Sequence, residues 1–435
     1  AGAYWRGNEK NKMLTRIYGV AFETKEKLND YLKMMEEAEK RDHRKLGKEM
    51  DLFSFHEEGP GSPFWHSKGT ILYNELKNFI RKENTKRGYG EVMTPVILNK
   101  NLWLTSGHWD KFKENMYFTE IDKQEFAIKP MNCPGGLLIY NATLHSYRDL
   151  PVRYAEFGLV HRHELSGVLH GLFRVRSFIQ DDAHSFCAPE QLNDEVVQMI
   201  DYALDIYKTF GFREYSLFIA TKPEKYIGDD GMWKEATNAL IKSLKGKKLE
   251  YKIKEGEGAF YGPKIEFDIK DAIGRDWQMG TIQIDFSMPQ RFGAAYVDKD
   301  GSKKTPVMVH RAILGSMERF IGVLIEHYAG ALPLWLSPIQ VLVLPIGDNF
   351  NNYGERVLIA LKNAGIRAEI DKSDETLSKK IRSGKMQKVP YIAVVGEKEQ
   401  ESETVTINSR DKKEQVIAKI EDFIHKTKQE ITEKK

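Results

Sequence analysis

The apolar pattern of the chain changes near residues 332–338, and this change constrains the fold more than any other feature of the sequence. Residues 88–186 and 215–286 consist mainly of short β-prone segments separated by Gly and Pro. After Ser337, strand-like and helical segments alternate. The first pattern is typical of an antiparallel sheet with helices packed on it, and the second of a small α/β domain with a largely parallel sheet. We therefore predict an α+β domain followed by an α/β domain, with the boundary near Ser337.

Individual helices and strands are predicted from the spacing of apolar residues. In the first part, helices are predicted over residues 22–46, 70–86 and 189–210, and strands over 153–161, 173–178 and 215–220 and within 260–286. In the second part, strands are predicted over 341–344, 366–370, 391–395 and 404–407, and helices over 353–363, 377–386 and 414–426.

Composition narrows the class of protein. Hydrophobic residues make up 41% and charged residues 30% of the 435 residues, which is the balance of a globular protein. The net charge is only +3, but 66 Lys and Arg residues leave room for a local basic surface that binds nucleic acid. Two cysteines fit a reducing compartment, and no apolar run approaches the roughly 20 residues that a membrane helix needs. We expect a cytoplasmic protein without membrane spans.

Three separated segments carry residue types that bind metals. Cys133 lies in the segment 129–135, His184 ends 180–184, and His310 lies in 309–311. One Cys and two His are the borderline-soft ligands expected around a zinc ion with an open fourth position. Because the three are far apart in sequence, spacing alone leaves open that they are ordinary buried Cys and His residues.

The region 153–184 is rich in arginine. Arg162, Arg174 and Arg176 stand among several His and acidic residues. The guanidinium group is the preferred partner of phosphate because it offers paired donors and keeps its charge. Phe173 or Phe178 would stack on a base. The alternative interpretation is a solvated hairpin held by salt bridges.

Taken together, these segments resemble the threonyl-tRNA synthetases, which are class II aminoacyl-tRNA synthetases with zinc in the amino-acid pocket. The resemblance includes Met-Asn-Cys-Pro-Gly at 131–135 and His-Arg-His-Glu at 161–164. Residues 171–176 and 180–184 complete a segment similar to class II motif 2. Residues 88–95 and 315–319 are similar to motifs 1 and 3. Two positions depart from the family pattern, Gly136 and His163.

The resemblance implies the roles of the site residues. ATP, with Mg²⁺, would be bound by Arg162, Glu164, Arg174, Phe178, Gln283 and Arg319. Threonine would be bound by Met131, Gln180, Asp182, Tyr261 and Gln278. One zinc ion per subunit would be held by Cys133, His184 and His310. The residues implied in catalysis are Arg162, Arg319 and His108, the last in transfer to the tRNA hydroxyl.

Zinc would explain how threonine is selected. An apolar pocket separates near-isosteric threonine and valine only about a hundredfold, whereas a metal also binds the hydroxyl. Serine has that hydroxyl and would pass, so the family carries an editing domain. Residues 1–22 resemble only the last part of that domain, and we expect post-transfer editing to be absent from this chain. The expected division is an editing remnant with a linker helix in 1–40, a catalytic domain in 41–336 and an anticodon-binding domain in 337–435.

The second domain resembles the anticodon-binding domain of class II synthetases. The resemblance lies in residues 385–391 and 395–399 and implies anticodon contacts by Lys398 and Glu399. Asn408 stands where the family often has an arginine. The expected partners are tRNA(Thr), ATP, L-threonine and a second copy of the chain, which motif 1 would contact in a homodimer. Two alternatives stay open: an inactive synthetase-like protein that binds RNA or regulates, and a synthetase for proline or serine.

Overall fold

The computed structural model describes residues 3–7, 10–15, 17, 19–412 and 414–434. The prediction for residues 1–40 therefore falls partly outside the described residues, at positions 1, 2, 8, 9, 16 and 18. Among the helices of the described ranges, none is long and apolar enough to cross a bilayer.

The strands of the first part of the chain are β1 Ala3–Tyr4, β2 Met13–Leu14, β3 Phe53–Ser54, β4 Phe64–Trp65, β5 Gly90–Glu91, β6 Ile97–Asn99, β7 Tyr117–Ile121, β8 Gln124–Ile128, β9 His145–Ser146, β10 Val152–His161, β11 Ser177–Cys187, β12 Tyr215–Ala220, β13 Lys252–Lys254, β14 Lys264–Lys270, β15 Asp276–Asp285, β16 Tyr296–Val297, β17 Lys303–Lys304 and β18 Val307–Ser316. The strands of the second part are β19 Val341–Pro345, β20 Ala368–Ile370, β21 Tyr391–Val395, β22 Thr404–Ser409 and β23 Gln415–Lys419.

The α-helices are α1 Lys25–Arg41, α2 His43–Glu49, α3 Ser67–Lys86, α4 Lys100–Ser106, α5 His108–Lys111, α6 Cys133–Asn141, α7 Leu192–Thr209, α8 Asp230–Gly246, α9 Ser287–Arg291, α10 Met317–His327, α11 Asn351–Asn363, α12 Leu377–Met386, α13 Glu397–Ser402 and α14 Ile420–Thr432. Short 3₁₀ turns lie at Trp5–Gly7, Lys113–Asn115, Ser166–Val168, Pro189–Gln191 and Asp348–Phe350.

The main sheet positions the site. Its strands, as far as the chain is described, number eight in the order β13-β12-β14-β15-β18-β11-β10-β5. They run antiparallel except for the parallel outer pairs β12–β13 and β10–β5. Helices α3, α7 and α10 contribute buried apolar residues to the core that also contains residues of β14, β15 and β18. The opposite face of the central strands is left for polar side chains, which is how an antiparallel sheet with one covered face divides its residues.

The register of the three central strands brings distant residues side by side. His184 of β11 pairs with His310 of β18, and His310 pairs on its other side with Gln283 of β15. Two residues further along β18, Ala312 pairs with Asp182 of β11 on one side and with Thr281 of β15 on the other. Residues two apart on a strand share a face, so a row of polar groups crosses the sheet.

The second part of the chain has its own core and a mixed sheet. The strand order is β20-β19-β21-β22-β23, with β19 parallel to β20 and β21, and β22 antiparallel to β21 and β23. The prediction of a largely parallel sheet is therefore only half right. The predicted helix over 414–426 is wrong in its first part, because Gln415–Lys419 is strand β23 and the helix α14 begins at Ile420. The apolar run Val416 to Ala418 fits either structure locally, and pairing with β22 decides for the strand.

Two further predictions in the first part need correction. The helix predicted over 22–46 is two helices, because the backbone of Asp42 is extended, with φ −50° and ψ 117°. Its carboxylate accepts the Arg44 N–H at 2.8 Å and so caps α2. The strand predicted over 173–178 begins only at Ser177. Phe173 to Arg176 instead lie in the turn that precedes β11.

Candidate active site

A cavity of about 500 Å³ opens on the polar face of the central strands. All fourteen residues predicted to bind metal, threonine or ATP line it: Met131, Cys133, Arg162, Glu164, Arg174, Phe178, Gln180, Asp182, His184, Tyr261, Gln278, Gln283, His310 and Arg319. Sequence motifs separated by up to half the chain are thus brought to one cavity.

One end of this cavity, called here the metal end, contains Cys133, His184 and His310. Their potential ligand atoms lie within 4.8 Å of one another. Cys133 is the first residue of α6, and the two imidazoles project from paired positions of β11 and β18 with ring centroids 4.9 Å apart. The three residues are 2%, 4% and 4% exposed. This set of donors fits a zinc ion, because a thiolate and two imidazoles are what zinc prefers.

Hydrogen bonding supports the same assignment. The buried Nε2 of His184 has no hydrogen-bond partner in the described part of the chain. His310 Nε2 lies 3.3 Å from the carboxylate of the buried Asp285, close enough to orient the ring. A buried imidazole nitrogen without a partner costs free energy unless a ligand or ion meets it.

The protonation states also fit. Burial lowers the pKa of His184 to about 4, so its imidazole is neutral at pH 7 and one ring nitrogen has a lone pair that is able to bind a metal. Burial, with the nearby Asp182 and Asp285, raises the pKa of the Cys133 thiol well above its usual value. The thiol therefore stays protonated until a cation displaces the proton.

Groups beside the metal end have free hydrogen-bonding capacity. Asp182 accepts from Asn132 Nδ2 at 3.0 Å and keeps its other oxygen 3.6 Å from His184 Nε2. The ring of Tyr261 packs on His310 at 4.8 Å. The side-chain oxygen of Gln180, like that of Gln283, is buried without a partner in the described ranges. Together they offer acceptors for the ammonium group of a small amino acid.

The other end, called here the nucleotide end, contains the arginines. Arg162 donates to the Pro130 carbonyl at 3.2 Å, and its guanidinium lies 5.2 Å from the ring centre of Phe178. Arg319 donates to the Gln278 carbonyl at 3.3 Å. Within the described ranges neither arginine has a carboxylate salt-bridge partner, and burial lowers the pKa of both. Two unneutralised guanidinium groups in one cavity create a site for an anion such as a polyphosphate.

Arg174 and Glu164 are already engaged with each other. Arg174 Nε donates to Glu164 Oε2 at 2.9 Å, and the arginine side chain is 54% exposed. Such an exposed pair contributes little to stability, so a phosphate group can compete for the arginine at low cost.

His108 is predicted as catalytic but does not line the cavity. It is fully buried, with Nδ1 2.8 Å from Ser106 Oγ and Nε2 3.1 Å from the sulfur of Met131. Met131 does line the cavity and separates the imidazole from it. Burial, with Arg162 and His310 nearby, lowers the pKa of His108 to about 3, so the ring is neutral.

The predicted anticodon contacts lie on α13, in the second part of the chain. Lys398 is exposed, whereas Glu399 is half-buried. Both carboxylate oxygens of Glu399 are used, one by the Gly396 N–H at 3.0 Å and the other by Thr406 Oγ1 at 2.6 Å. Of the two, Lys398 is the side chain that is free to meet a partner.

Gly136, a departure from the family pattern, lies at the metal end. A Cβ at this position would make an ordinary contact of 3.6 Å with His184 Nδ1. A larger side chain here would therefore contact the imidazole of His184, a proposed zinc ligand, and glycine leaves that space open.

A buried ion pair behind the metal end was missed from the sequence. Lys129 Nζ lies 2.8 Å from Glu156 Oε1 and 2.8 Å from Thr94 Oγ1, and both charged residues are almost fully buried. Lys129 precedes the Cys133 turn by four residues, and Thr94 lies in the motif 1 segment. Lys129 and Thr94 lie in motif segments and Glu156 in the arginine-rich region, but the sequence analysis assigned none of the three a role.

Comparisons with known proteins agree with this geometry. Residues 117–328 match the tRNA synthetase class II core domain (G, H, P, S and T), and residues 340–430 match the anticodon binding domain. A threonine–tRNA ligase of Caldanaerobacter subterraneus subsp. tengcongensis is 58% identical over 434 residues, which is 100% of this chain and 67% of that protein. One from Clostridium tetani is 57% identical over 431 residues, 99% of this chain and 67% of that protein.

Solved structures give the same result. The RNA-binding domain of threonyl-tRNA synthetase from Cryptosporidium parvum is 44% identical, with a TM-score of 0.87, over 89% of this chain and 98% of that one. A putative threonyl-tRNA synthetase from Aeropyrum pernix is 28% identical, with a TM-score of 0.77, over 91% of this chain and 96% of that one. The chain spans about two thirds of the length of its curated relatives. With a class II core, an anticodon-binding domain and this degree of identity, the chain belongs to the threonine–tRNA ligases.

Proposed function

We propose that this chain activates L-threonine with ATP and transfers the threonyl group to tRNA(Thr), with zinc in the amino-acid pocket. The observation that carries this proposal is the division of one cavity into two ends. One end has three residues able to hold a metal, and the other has two arginines without a carboxylate salt-bridge partner among the described residues. Neither end alone defines the reaction, but together they match an amino acid placed beside a polyphosphate.

At the metal end, Cys133, His184 and His310 would hold the zinc ion. Bound there, zinc supplies a Lewis acid that recognises an amino group and a hydroxyl on the same small molecule. Asp182 would accept a hydrogen bond from the threonine amino group, and Tyr261 closes the pocket beside His310. Gln180 Oε1, which is buried without a protein partner in the described residues, is satisfied by the bound amino acid.

At the nucleotide end, the arginines stabilise charge on the phosphates. A carboxylate oxygen of threonine forms a bond to the α-phosphorus of ATP as the bond from that phosphorus to pyrophosphate breaks. Arg162 stabilises the α-phosphate and Arg319 the outer phosphates, with Mg²⁺ accompanying ATP. Phe178 stacks on adenine, with Glu164 at its amino group, Arg174 reaches the outer phosphates, and Gln278 and Gln283 line the floor between the two ends.

For the transfer step we assign His108 an assisting role. Its Nε2 lies 3.1 Å from the sulfur of Met131, and Met131 lines the cavity. Movement of that flexible thioether would open a path from Nε2 to the tRNA terminus.

Domain roles and assembly form part of the same proposal. Residues 41–336 are assigned to catalysis and 337–435 to anticodon binding, with Lys398 as the contact best placed on the surface. Assembly as a homodimer through the motif 1 segment is supported by two exposed apolar side chains at or beside that segment. They are Met93, which is 88% exposed, and Ile97. Light scattering at micromolar concentration tests this, and a particle of 50.2 kDa would contradict it. The tRNA substrate would place the activity in the cytoplasm.

Amino-acid-dependent exchange of pyrophosphate into ATP tests the activation step. We expect rapid exchange with threonine, slower exchange with serine, and none above background with proline. Charging of tRNA(Thr) is then measured separately. If pyrophosphate exchange is absent or does not depend on threonine, while tRNA binding is retained, the result would favour the inactive RNA-binding alternative.

A further inference from the structure

We infer that His43 is a positioning residue for ATP. It holds the turn His170–Arg174 in place by a hydrogen bond, although it does not itself line the cavity. The inference rests on the proposed function, since it concerns how the nucleotide end is held in shape. Phe173 and Arg174 of this turn both line the cavity, whereas His43 does not contact it.

His43 is tied to the helix that follows motif 3. It is the first residue of α2 and is fully buried. Its Nδ1 lies 2.7 Å from Glu326 Oε1 on α10, and its own backbone N–H donates to the same oxygen at 3.1 Å. Burial alone would raise the pKa of Glu326, but the hydrogen bonds from His43 and the charge of Arg275 lower it overall. Glu326 is therefore an ionised acceptor, and Nδ1 carries the proton.

The second ring nitrogen meets the turn. The backbone N–H of Leu172 donates to His43 Nε2 at 3.0 Å. The turn's own backbone bonds use the N–H groups of His170, Phe173 and Arg174, and the N–H of Leu172 is left to the imidazole. With Nδ1 donating to Glu326 and Nε2 accepting from Leu172, a single neutral tautomer satisfies both contacts. The same geometry explains why Asp42, His43 and Glu326, though close together, do not form a metal site: both ring nitrogens are already used.

Packing leaves the turn little freedom around this contact. Gly171 has φ +48°, and a Cβ there would lie 2.2 Å from His43 Nε2. The ring of Phe173 packs between His43, at 4.1 Å, and Trp277 of β15, at 4.3 Å. The backbone of α10 comes close at Gly322, where a Cβ would lie 2.9 Å from Phe173. The turn is thus held between α2, α10 and β15.

This arrangement has different consequences at the two ends of the cavity. Arg174 moves with the turn, and Glu164 is bonded to Arg174. Cys133, His184 and His310 lie on α6, β11 and β18, and β11 is held by its pairing with β10 and β18. Loss of the Leu172 contact should therefore weaken ATP binding and spare threonine binding.

Two amide substitutions separate the two ring nitrogens. In His43→Asn the amide nitrogen takes the place of Nδ1 and the acceptor for Leu172 is lost. In His43→Gln the amide oxygen takes the place of Nε2 and the acceptor is kept. We expect His43→Asn to raise the KM for ATP about tenfold, as for an unsatisfied buried N–H, with the KM for threonine unchanged. We expect His43→Gln to stay within about twofold of the wild type in both.

His327→Asn is the matched control. His327 follows Glu326 on the same helix but packs on Phe212 and Tyr328, away from the turn. Its substitution should leave the ratio of the two KM values unchanged, with thermal unfolding recorded for every variant. Equal defects in His43→Asn and His43→Gln, or a shift of both KM values together, would overturn the inference.

A second variant covers failure of His43→Asn to fold. In Gly171→Ala the new Cβ would lie 2.2 Å from His43 Nε2 and 2.9 Å from Arg44 Cγ, so it separates the turn from α2 while the imidazole itself is kept. It should give the same selective loss for ATP. A folded Gly171→Ala with the wild-type KM for ATP would also overturn the inference. If the wild type shows no threonine-dependent exchange, the proposed function fails, and calorimetric binding of ATP to the two His43 variants still decides the role of His43.

Discussion

The metal end and the nucleotide end of the cavity are built in different ways. At the metal end, three nearly inaccessible side chains project from α6, β11 and β18, so sheet register and a helix start place them. At the nucleotide end, Arg174 is 54% exposed and sits on a turn, and its neighbours are held by single hydrogen bonds from distant elements. The metal end is positioned by regular structure, whereas the nucleotide end combines Arg319 on α10 and Phe178 on β11 with an Arg174 turn that is held by a few specific contacts.

The two ends also differ in charge. The metal end offers a neutral imidazole and a protonated thiol, whereas Arg162 and Arg319 at the nucleotide end have no carboxylate salt-bridge partner among the described residues. Ligand binding should therefore stabilise both, but through opposite charges. Variants that change one end and not the other test whether the two are independent.

The largest effect is expected at the nucleotide end. Arg162→Ala and Arg319→Ala should each lower the rate of pyrophosphate exchange about 10²–10³-fold or more, because each removes charge stabilisation that grows in the transition state. Zinc content and thermal unfolding should stay unchanged. Wild-type exchange in either variant, or loss of zinc, would show that the two ends are not built as described.

The converse change is Cys133→Ala at the metal end. We expect loss of bound zinc and a fall in threonine activation of about a hundredfold, comparable to the largest effects of disturbing a metal site from outside it. ATP binding, measured by calorimetry without amino acid, should change little. Cys187→Ala is the control. Cys187 lies buried in the main apolar core, so the Cys187→Ala protein should keep its zinc. Full zinc occupancy in Cys133→Ala would refute the ligand assignment.

Amino-acid selection probes the metal end without any mutation. Serine keeps the hydroxyl and loses one methyl contact, so its kcat/KM should fall about 10–200-fold below that of threonine. Valine loses the hydroxyl and leaves polar groups unpaired, so it should be rejected more strongly than serine. Exchange rates with the three amino acids at matched ATP give the order, and valine activated better than serine would contradict a metal that reads the hydroxyl.

The smallest effect concerns Glu318, which precedes Arg319 and is nearly inaccessible. Burial raises its pKa to about 7. A carboxyl group with a raised pKa in the folded state favours folding at low pH, and this contribution is lost as the pH rises from about 4.5 to about 7. Relative to the wild type, Glu318→Gln should therefore gain about 2–4 °C in Tm on going from pH 5 to pH 8. Glu255→Gln, at an exposed turn, should show no such dependence in the same calorimetric scans.

The sequence predicts several regular strands and helices better than it predicts the turn at the nucleotide end, and their packing explains why. Strands β10 and β12 and helix α12 agree with their predicted bounds to within a residue, because local apolar spacing reflects their packing. Residues 173–176 alternate apolar and basic side chains as a strand would, yet they form a turn. A histidine more than a hundred residues earlier in the chain fixes that turn, and no local pattern records such a contact.

The same reasoning applies to the site residues. The motif resemblance indicated every cavity-lining residue that we assign to metal, threonine or ATP. It did not indicate that His108 is enclosed behind Met131, or that both oxygens of Glu399 are already bonded. Residue type predicts what a side chain is able to do, whereas its partners in the fold decide whether it is free to do it.

The pairing of His184 with His310 across β11 and β18 has a consequence for folding. The two strands are separated by a long stretch of chain, so their alignment is a long-range step that costs loop entropy. A slip of one residue would turn one histidine to the other face of the sheet. If Cys133, His184 and His310 hold zinc as proposed, zinc uptake would occur only in molecules that have completed this step. Release of zinc from a coloured chelator during refolding would record when the central strands come into register.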